Sequence, residues 1–336
     1  VSTAILPAWH NRTGAISPLL ADPDITEIAI NGPTSVFALR RGARYMEPCD
    51  VGRISVDVLE DIARLVAYES RQNVSEKAPL LSASISSGLT GHSDYRFQYV
   101  QAPAVPHGTV SITIRKPSPF DMDIDYWAAS GAFDRINVPL PEEEDLDAGL
   151  AKAFNEKNWP QFLRLAIQAK KNILVTAPTN VGKTSFINML CRMIGEHERI
   201  VTIQDALELQ LRQRNVVNLI FSRGNQGVSK VSPSELMEAT LRMTPDRVIP
   251  GELRGAEAFV ALEMLNTGHG GWMTTMHSNS PEHMWGRLAD MVMRAGTTML
   301  RAEIIDYARG LIDIVIQMHR FTDGVRGIRE IYFAKR

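Results

Sequence analysis

The sequence predicts an α/β protein of two units: an N-terminal α+β unit and a C-terminal α/β unit built on a largely parallel sheet. Three observations carry this. The chain has 336 residues, enough for two cores. From about residue 159 onward, short apolar strand patterns alternate with helical ones, as in folds that bury a parallel sheet between helices. Before about residue 116, strands and one amphipathic helical pattern occur without that repeat.

In chain order, "ITEIAIN" and "SVFALRRG" alternate with the two-residue period of strands, and "NGPT" (Asn31 to Thr34) is the turn between them. "SVDVLEDIARLVAYES" carries apolar residues at helical spacing. "YRFQYVQAP" and "GTVSITIRKP" read as two further strands and complete a domain over residues 1–116. Residues 117–158 differ. Prolines in "KPSPFDMDID" and carboxylates in "PLPEEEDLDAG" predict a linker, or a short helix packed across a neighbour. Glu142, Glu143, Glu144 and Asp145 are expected on a solvated acidic surface. Over residues 159–336, "NILVTA", "ERIVTIQ", "VVNLIF", "PDRVIP", "GWMTTMH" and "LIDIVIQM" read as strands. "PSELMEATLRM" and "EAFVALEML" read as helices between them.

The turn after the first of those strands, "APTNVGKTS", has P-loop spacing, with Ala177 where glycine is usual. Strand, turn and helix follow in the order this motif requires. Backbone N–H groups from Thr179, Asn180, Val181, Gly182, Lys183, Thr184 and Ser185 would point inward at an anion. Gly182 permits close approach to phosphate oxygens, and Asn180 tolerates a positive φ. Lys183 would reach the β- and γ-phosphates of ATP, and the Thr184 hydroxyl would coordinate Mg²⁺. Such a site also needs a carboxylate at the end of a neighbouring strand. "DRVIPGE" supplies Glu252, placed to orient or deprotonate the attacking water.

Composition narrows the class further. The formal net charge of −2 gives no bulk field for nucleic acid or anionic lipid. Cys49 and Cys191 form no CxxC pair, so neither a zinc ribbon nor a disulfide scaffold is expected. His269 and His277 lack the HExxH arrangement and a cysteine partner, so zinc is not expected either. No apolar run approaches the roughly 18 residues that span a bilayer. The opening "VSTAILPAWHNR" lacks the features of a signal peptide, so a cytoplasmic location with peripheral membrane contact is expected.

"VTIQDALELQL", "RMTPDRVIPGELRGAEAF" and "NTGHGGWMTTMHSNSP" follow the P-loop in the order of the Asp box, Walker B and His box of the secretion ATPases. Within that superfamily the chain resembles the traffic ATPases of type IV secretion and conjugation systems, the VirB-eleven family. "ELQLRQRNVVNL", "DPDITEIAINGPTSVF" and "GTVSITIRKP" are similar to that family too. The resemblance spans about residues 20–116 and 160–335 and leaves the linker unmatched. It implies a RecA-like C-terminal P-loop domain and a cytoplasmic hexameric ring, with nucleotide held between the two domains. Carried over, Lys183 and Thr184 are phosphate and metal ligands, Glu252 the Walker B carboxylate, Asp205 and Glu208 Asp-box acids, and His277 the γ-phosphate-sensing histidine. Arg96 in "YRFQ" and Arg115 in "TIRKP" match arginines that close over the phosphates. One position departs: the family usually has Glu where this chain has Gln204, and loss of that acid would slow hydrolysis if it held metal or water.

The resemblance further implies partners: further copies of the chain as a homohexamer, and other secretion components, such as an inner-membrane ATPase or a coupling protein. The location it implies is the cytoplasmic face of the inner membrane. A type II secretion or type IV pilus ATPase is the alternative, although many of those carry a tetracysteine zinc module that this chain cannot build. A RecA-fold DNA translocase would need a basic groove with stacking aromatics, against which the near-neutral charge and 7% aromatic content count. No direct nucleic-acid contact is expected.

Overall fold

The computed structural model describes residues 9, 12–86, 94–118, 123–134, 136, 138, 141–223, 227–268 and 270–334, with backbone alone at 141–144. His269 and the side chains of Glu142, Glu143 and Glu144 therefore lie outside the described residues. Helix α1 (Ser17–Ala21) leads into strands β1 (Ile25–Ile30), β2 (Val36–Arg40) and the short β3 (Glu47–Pro48). Helix α2 (Val56–Glu69) follows, then β4 (Leu80–Ile85), β5 (Tyr95–Gln101) and β6 (Val110–Arg115). Among the described residues these strands form one antiparallel sheet in the order β3-β2-β1-β6-β5-β4.

Helix α2 packs on this sheet because Leu59, Ile62, Ala63, Val66 and Ala67 recur at helical spacing and are all buried. Ser55 caps its first turn by accepting the N–H of Val58 at 3.4 Å. Helices α3 (Ile124–Ala129) and α4 (Pro141–Asn155) occupy the stretch read as linker. The second half of α4 is more than a connection. Leu150 and Ala153 are buried in the same core as Phe162 and Ala166 of α5 (Trp159–Gln168) and the strand that follows.

That strand is β7 (Ile173–Ala177), followed by α6 (Lys183–Cys191), β8 (Ile200–Gln204), β9 (Val216–Ile220) and α7 (Pro233–Thr240). The chain continues through β10 (Arg247–Pro250), α8 (Glu257–Leu265), β11 (Met273–His277), α9 (Pro281–Met293), α10 (Arg301–Leu311), β12 (Ile314–Arg320) and β13 (Arg326–Phe333). The strands pair in the orders β10-β8-β9 and β11-β7-β12-β13, parallel except for β13. The two groups adjoin where Leu253 bridges to Met276, its N–H donating to the Thr275 carbonyl at 2.9 Å. Every residue of β7 is buried, as a strand covered on both faces requires.

The two units meet at the N-terminal ends of β8 and β9. Arg199, immediately before β8, is fully buried there. Its guanidinium donates to the Met243 carbonyl at 2.9 Å, to Asn31 Oδ1 at 2.9 Å, to Asn215 Oδ1 and to Thr113 Oγ1. Thr113 lies on β6 and Asn31 directly follows β1, so one cation ties both units together. Burial lowers Arg199 to about 10, which leaves it charged at neutral pH. The contact is extended by Val100, Ala104 and Val105, which share a core with Leu219, and by the Ile220 N–H, which donates to the Ala104 carbonyl at 2.8 Å. Replacing Arg199 by Leu strands several buried acceptors at once. Arg199→Leu is therefore expected to lose about 3 kcal/mol or more of stability in chemical denaturation followed by tryptophan fluorescence. An unchanged midpoint would mean the interface is held elsewhere.

Candidate active site

The turn from β7 into α6 is set by backbone conformation. Asn180 has φ 60° and Gly182 φ 100°, both left-handed. Two such residues so close together curl the chain so that successive N–H groups face one concavity. A Cβ on Gly182 would meet nothing within 4 Å, so the demand for glycine there is conformational rather than steric. Lys183 is the first residue of α6, so the helix N-terminus opens onto the same space.

A cleft of about 400 Å³ lies against this turn. Thr179 through Ser185 form one wall, and Asp205, Glu208, Glu252, Arg254 and His277 line the other. Its size suits a nucleotide-scale ligand. The facing residues sit at or just beyond the C-terminal ends of β8, β10 and β11, the end at which α/β sheets bind ligands.

Two clusters divide the cleft. In the first, Lys183 Nζ lies 3.0 Å from His277 Nδ1, and His277 Nε2 lies 3.3 Å from Glu252 Oε1. Arg254 Nη2 donates to Glu252 Oε2 at 2.6 Å. Burial, then the Lys183 charge, hold His277 below its ordinary 6.5, so the imidazole is neutral at pH 7. The ammonium also lies 3.4 Å from Nε2, and Glu252 Oε1, at ion-pair distance from that nitrogen, accepts no hydrogen bond among the described residues. Burial also lowers Lys183, with the Glu252 carboxylate opposing it.

In the second cluster, Thr184 Oγ1 donates to Glu208 Oε2 at 2.9 Å. A hydroxyl and a carboxylate oxygen converge there, both hard donors. This fits Mg²⁺, which takes one or two protein oxygens and completes its shell with phosphate and water. Among the described residues no group of three or more His, Cys, Asp or Glu is arranged to hold a metal, so a cation here would depend on the phosphates. Asp205 stands apart, paired with Arg223 and Arg254. Against burial, which would raise it, those partners hold its carboxyl below the usual range.

Lys183, Thr184, Glu208, Glu252 and His277 thus come together, with Asp205 at the rim. Arg96 and Arg115 do not join them within one chain. They face each other across β5 and β6. Arg115 pairs with Glu27 and donates to Thr244 Oγ1 at 3.1 Å. With Arg242 they line a separate cavity of about 470 Å³. The N-terminal sheet docks at the N-terminal ends of the C-terminal strands, whereas the P-loop lies beyond their C-terminal ends. A five-residue strand such as β7 spans about 16 Å. Sequence reading missed Arg254, although its place two residues after Glu252 in "GELRG" was a usable signal. It also missed Arg326, which reaches the cleft from β13 and carries no local signal.

The chain is similar to known proteins over nearly its whole length. Residues 141–317 match the family described as Type II/IV secretion system protein. The chain is 36% identical to the type IV secretion system protein VirB11 of Bartonella henselae, covering 95% of this chain and 90% of that one. It is 35% identical to the PtlH homolog of Bordetella bronchiseptica, covering 91% and 88%. Its fold is similar to the crystal structure of the VirB11 ATPase of the Brucella suis type IV secretion system in complex with sulphate, with TM-score 0.86, 31% identity, and 97% and 94% of the two chains covered. The chain belongs to the VirB11 family of type IV secretion ATPases.

The electrostatics of the site are directly measurable. His277 is expected to titrate below 6.5 in the nucleotide-free ATPase when followed by NMR of its ring protons. Lys183→Ala should raise that midpoint only part of the way, because burial is the larger cause. Because the folded-state value is depressed, the neutral ring contributes stability above pH 6.5 that is lost as pH falls through the folded-state midpoint. A His277 midpoint at or above 6.5 would contradict the Lys183 contact.

Proposed function

We propose that this secretion ATPase hydrolyses ATP with Mg²⁺ in the cleft beside α6, working as a homohexameric ring at the cytoplasmic face of the inner membrane. The carrying observation is the convergence of Lys183, Thr184, Glu208 and Glu252 on one cleft beneath a left-handed anion-binding turn. Lys183 leaves His277 Nδ1 for the β- and γ-phosphates. Glu252, oriented by Arg254, positions the attacking water and takes its proton. His277, released by Lys183 and still beside Glu252, presents a ring nitrogen to the phosphate side, so the ring responds to an occupied γ position. Thr184 and Glu208 would hold the Mg²⁺, which when bound neutralises charge on the transferring phosphates.

Arg96 and Arg115 act in trans in this proposal, because their own P-loop is a strand's length away. A neighbour in the ring supplies them, which makes turnover depend on assembly. Exposed apolar side chains in and after α3 favour such a contact: Ile124 is 68% exposed, Trp127 47% and Phe133 46%. A ring repeats one heterologous interface and closes without leaving it bare. The partners follow from the family: other secretion components, such as an inner-membrane ATPase or a coupling protein. Among the described residues no helix is long and apolar enough to cross a membrane, so membrane contact is peripheral in this reading.

Three outcomes test the proposal. Lys183→Ala should abolish Mg²⁺-dependent turnover. Glu252→Gln should still bind ATP, measured with a fluorescent analogue, yet lose about 100-fold or more in kcat; failure to bind would make Glu252 structural instead. A mixture of Lys183→Ala with the Arg96→Ala/Arg115→Ala double variant should recover activity that neither preparation has alone. No recovery in mixed rings, verified by light scattering, would refute arginines acting in trans.

A further inference from the structure

We propose that Gln204 is a positioning residue, which sets Glu208 for its place beside Thr184 through an uncharged amide. The proposal rests on the reading of the cleft as an ATP site. β8 ends at Gln204, and residues 205–211 have no regular secondary structure, so their N–H groups need partners outside a ladder. Gln204 is 2% exposed, and its Oε1 accepts the N–H groups of Glu208 and Leu209, each at 2.9 Å. The Glu208 N–H is shared with the Ala206 carbonyl at 2.9 Å. For the Leu209 N–H, Gln204 is the acceptor. Asn188 on α6 completes the clamp: its Nδ2 donates to the Glu208 carbonyl at 3.0 Å and its Oδ1 accepts the Gln210 N–H at 2.8 Å. Held from both sides, the segment directs Glu208 Oε2 at Thr184 Oγ1.

The two N–H donors fix which way the amide faces, since only oxygen can accept both. Nε2 therefore faces Thr202 Oγ1 and donates to it at 2.9 Å. That hydroxyl spends its own proton on Asn218 Oδ1 at 2.8 Å, across the parallel register that pairs Thr202 with Asn218. A glutamate at 204 would still accept the two N–H bonds. Its second oxygen would meet a hydroxyl whose proton is already given to Asn218. Its charge would add to Asp205, Glu208 and Glu252 in one cleft, lined also by Lys183, Arg254 and Arg326, with Arg223 paired to Asp205. The departure at Gln204 thus changes charge and keeps the geometry: this side chain is committed to holding the loop and is not a lost ligand.

The test uses full-length protein, with Gln204→Met, which keeps length but cannot accept these bonds, and Gln204→Glu, which can. Hydrogen–deuterium exchange of the nucleotide-free chain reads the loop, and ATP turnover over a Mg²⁺ titration reads its consequence. In Gln204→Met the Leu209 amide should exchange about tenfold faster or more. Its kcat should fall, and its Mg²⁺ requirement rise, by about tenfold. Nucleotide binding without Mg²⁺ should stay near wild type. Gln204→Glu should restore the slow exchange of the Leu209 amide, while its added charge lowers kcat. Unchanged exchange in Gln204→Met would overturn the proposal. So would faster exchange with wild-type kcat and Mg²⁺ dependence, or a Gln204→Glu protein whose Leu209 amide exchanges as fast as in Gln204→Met. A wild-type chain without ATP turnover whose Leu209 amide is protected by Gln204 would refute the hydrolase reading and uphold the positioning.

Discussion

The site depends on one short turn in which Asn180 and Gly182 both adopt left-handed backbone. That conformation converts the end of a buried strand into a ring of inward N–H groups and delivers Lys183 as the first residue of a helix. Everything else in the cleft must come to that point. A parallel sheet makes this possible, because neighbouring strands all end on the same side. β8 leads to Asp205 and Glu208, β10 to Glu252 and β11 to His277. The lysine meets a neutral imidazole, and that imidazole lies beside the carboxylate proposed to activate water. Lys183, His277 and Glu252 therefore form one connected series, not three independent groups.

A second constraint acts at the far end of the same strands. Arg199 is a buried cation whose guanidinium is satisfied by carbonyl, amide and hydroxyl oxygens from both units, with Glu27 and Asp246 supplying negative charge nearby. Desolvating an arginine is costly unless its donors are filled, so the partners must be in place together. The N-terminal sheet is thereby held at the base of the C-terminal strands. That placement explains why Arg96 and Arg115 are remote from the P-loop of their own chain.

Much of the architecture was legible because burial leaves a period in the sequence. β1, β2, α2, β5, β6 and the strands from β7 to β12 carry apolar patterns that only burial requires. The P-loop was legible for a different reason: phosphate binding demands Gly182, Lys183 and Thr184 in fixed succession. What escaped had weak local patterning. β13, "RGIREIYF", is an edge strand with exposed and half-buried residues. The core residues Leu150 and Ala153 of α4 follow an acidic first half that reads as linker. Arg326 joins the cleft only because β13 folds back along β12.

The sequence by itself determined the two-unit layout, the left-handed turn that leads into α6 and the family, since each rests on residues adjacent in the chain or on a period along it. Tertiary structure alone decided three things: that Lys183 meets His277, that Gln204 holds the loop bearing Glu208, and that Arg115 faces Thr244 and not the P-loop. In each case the physical reason is the same. Such pairings are fixed by which strand ends lie side by side and by which end of the sheet the N-terminal unit covers. Those are properties of strand order and domain docking, and no local spacing encodes them.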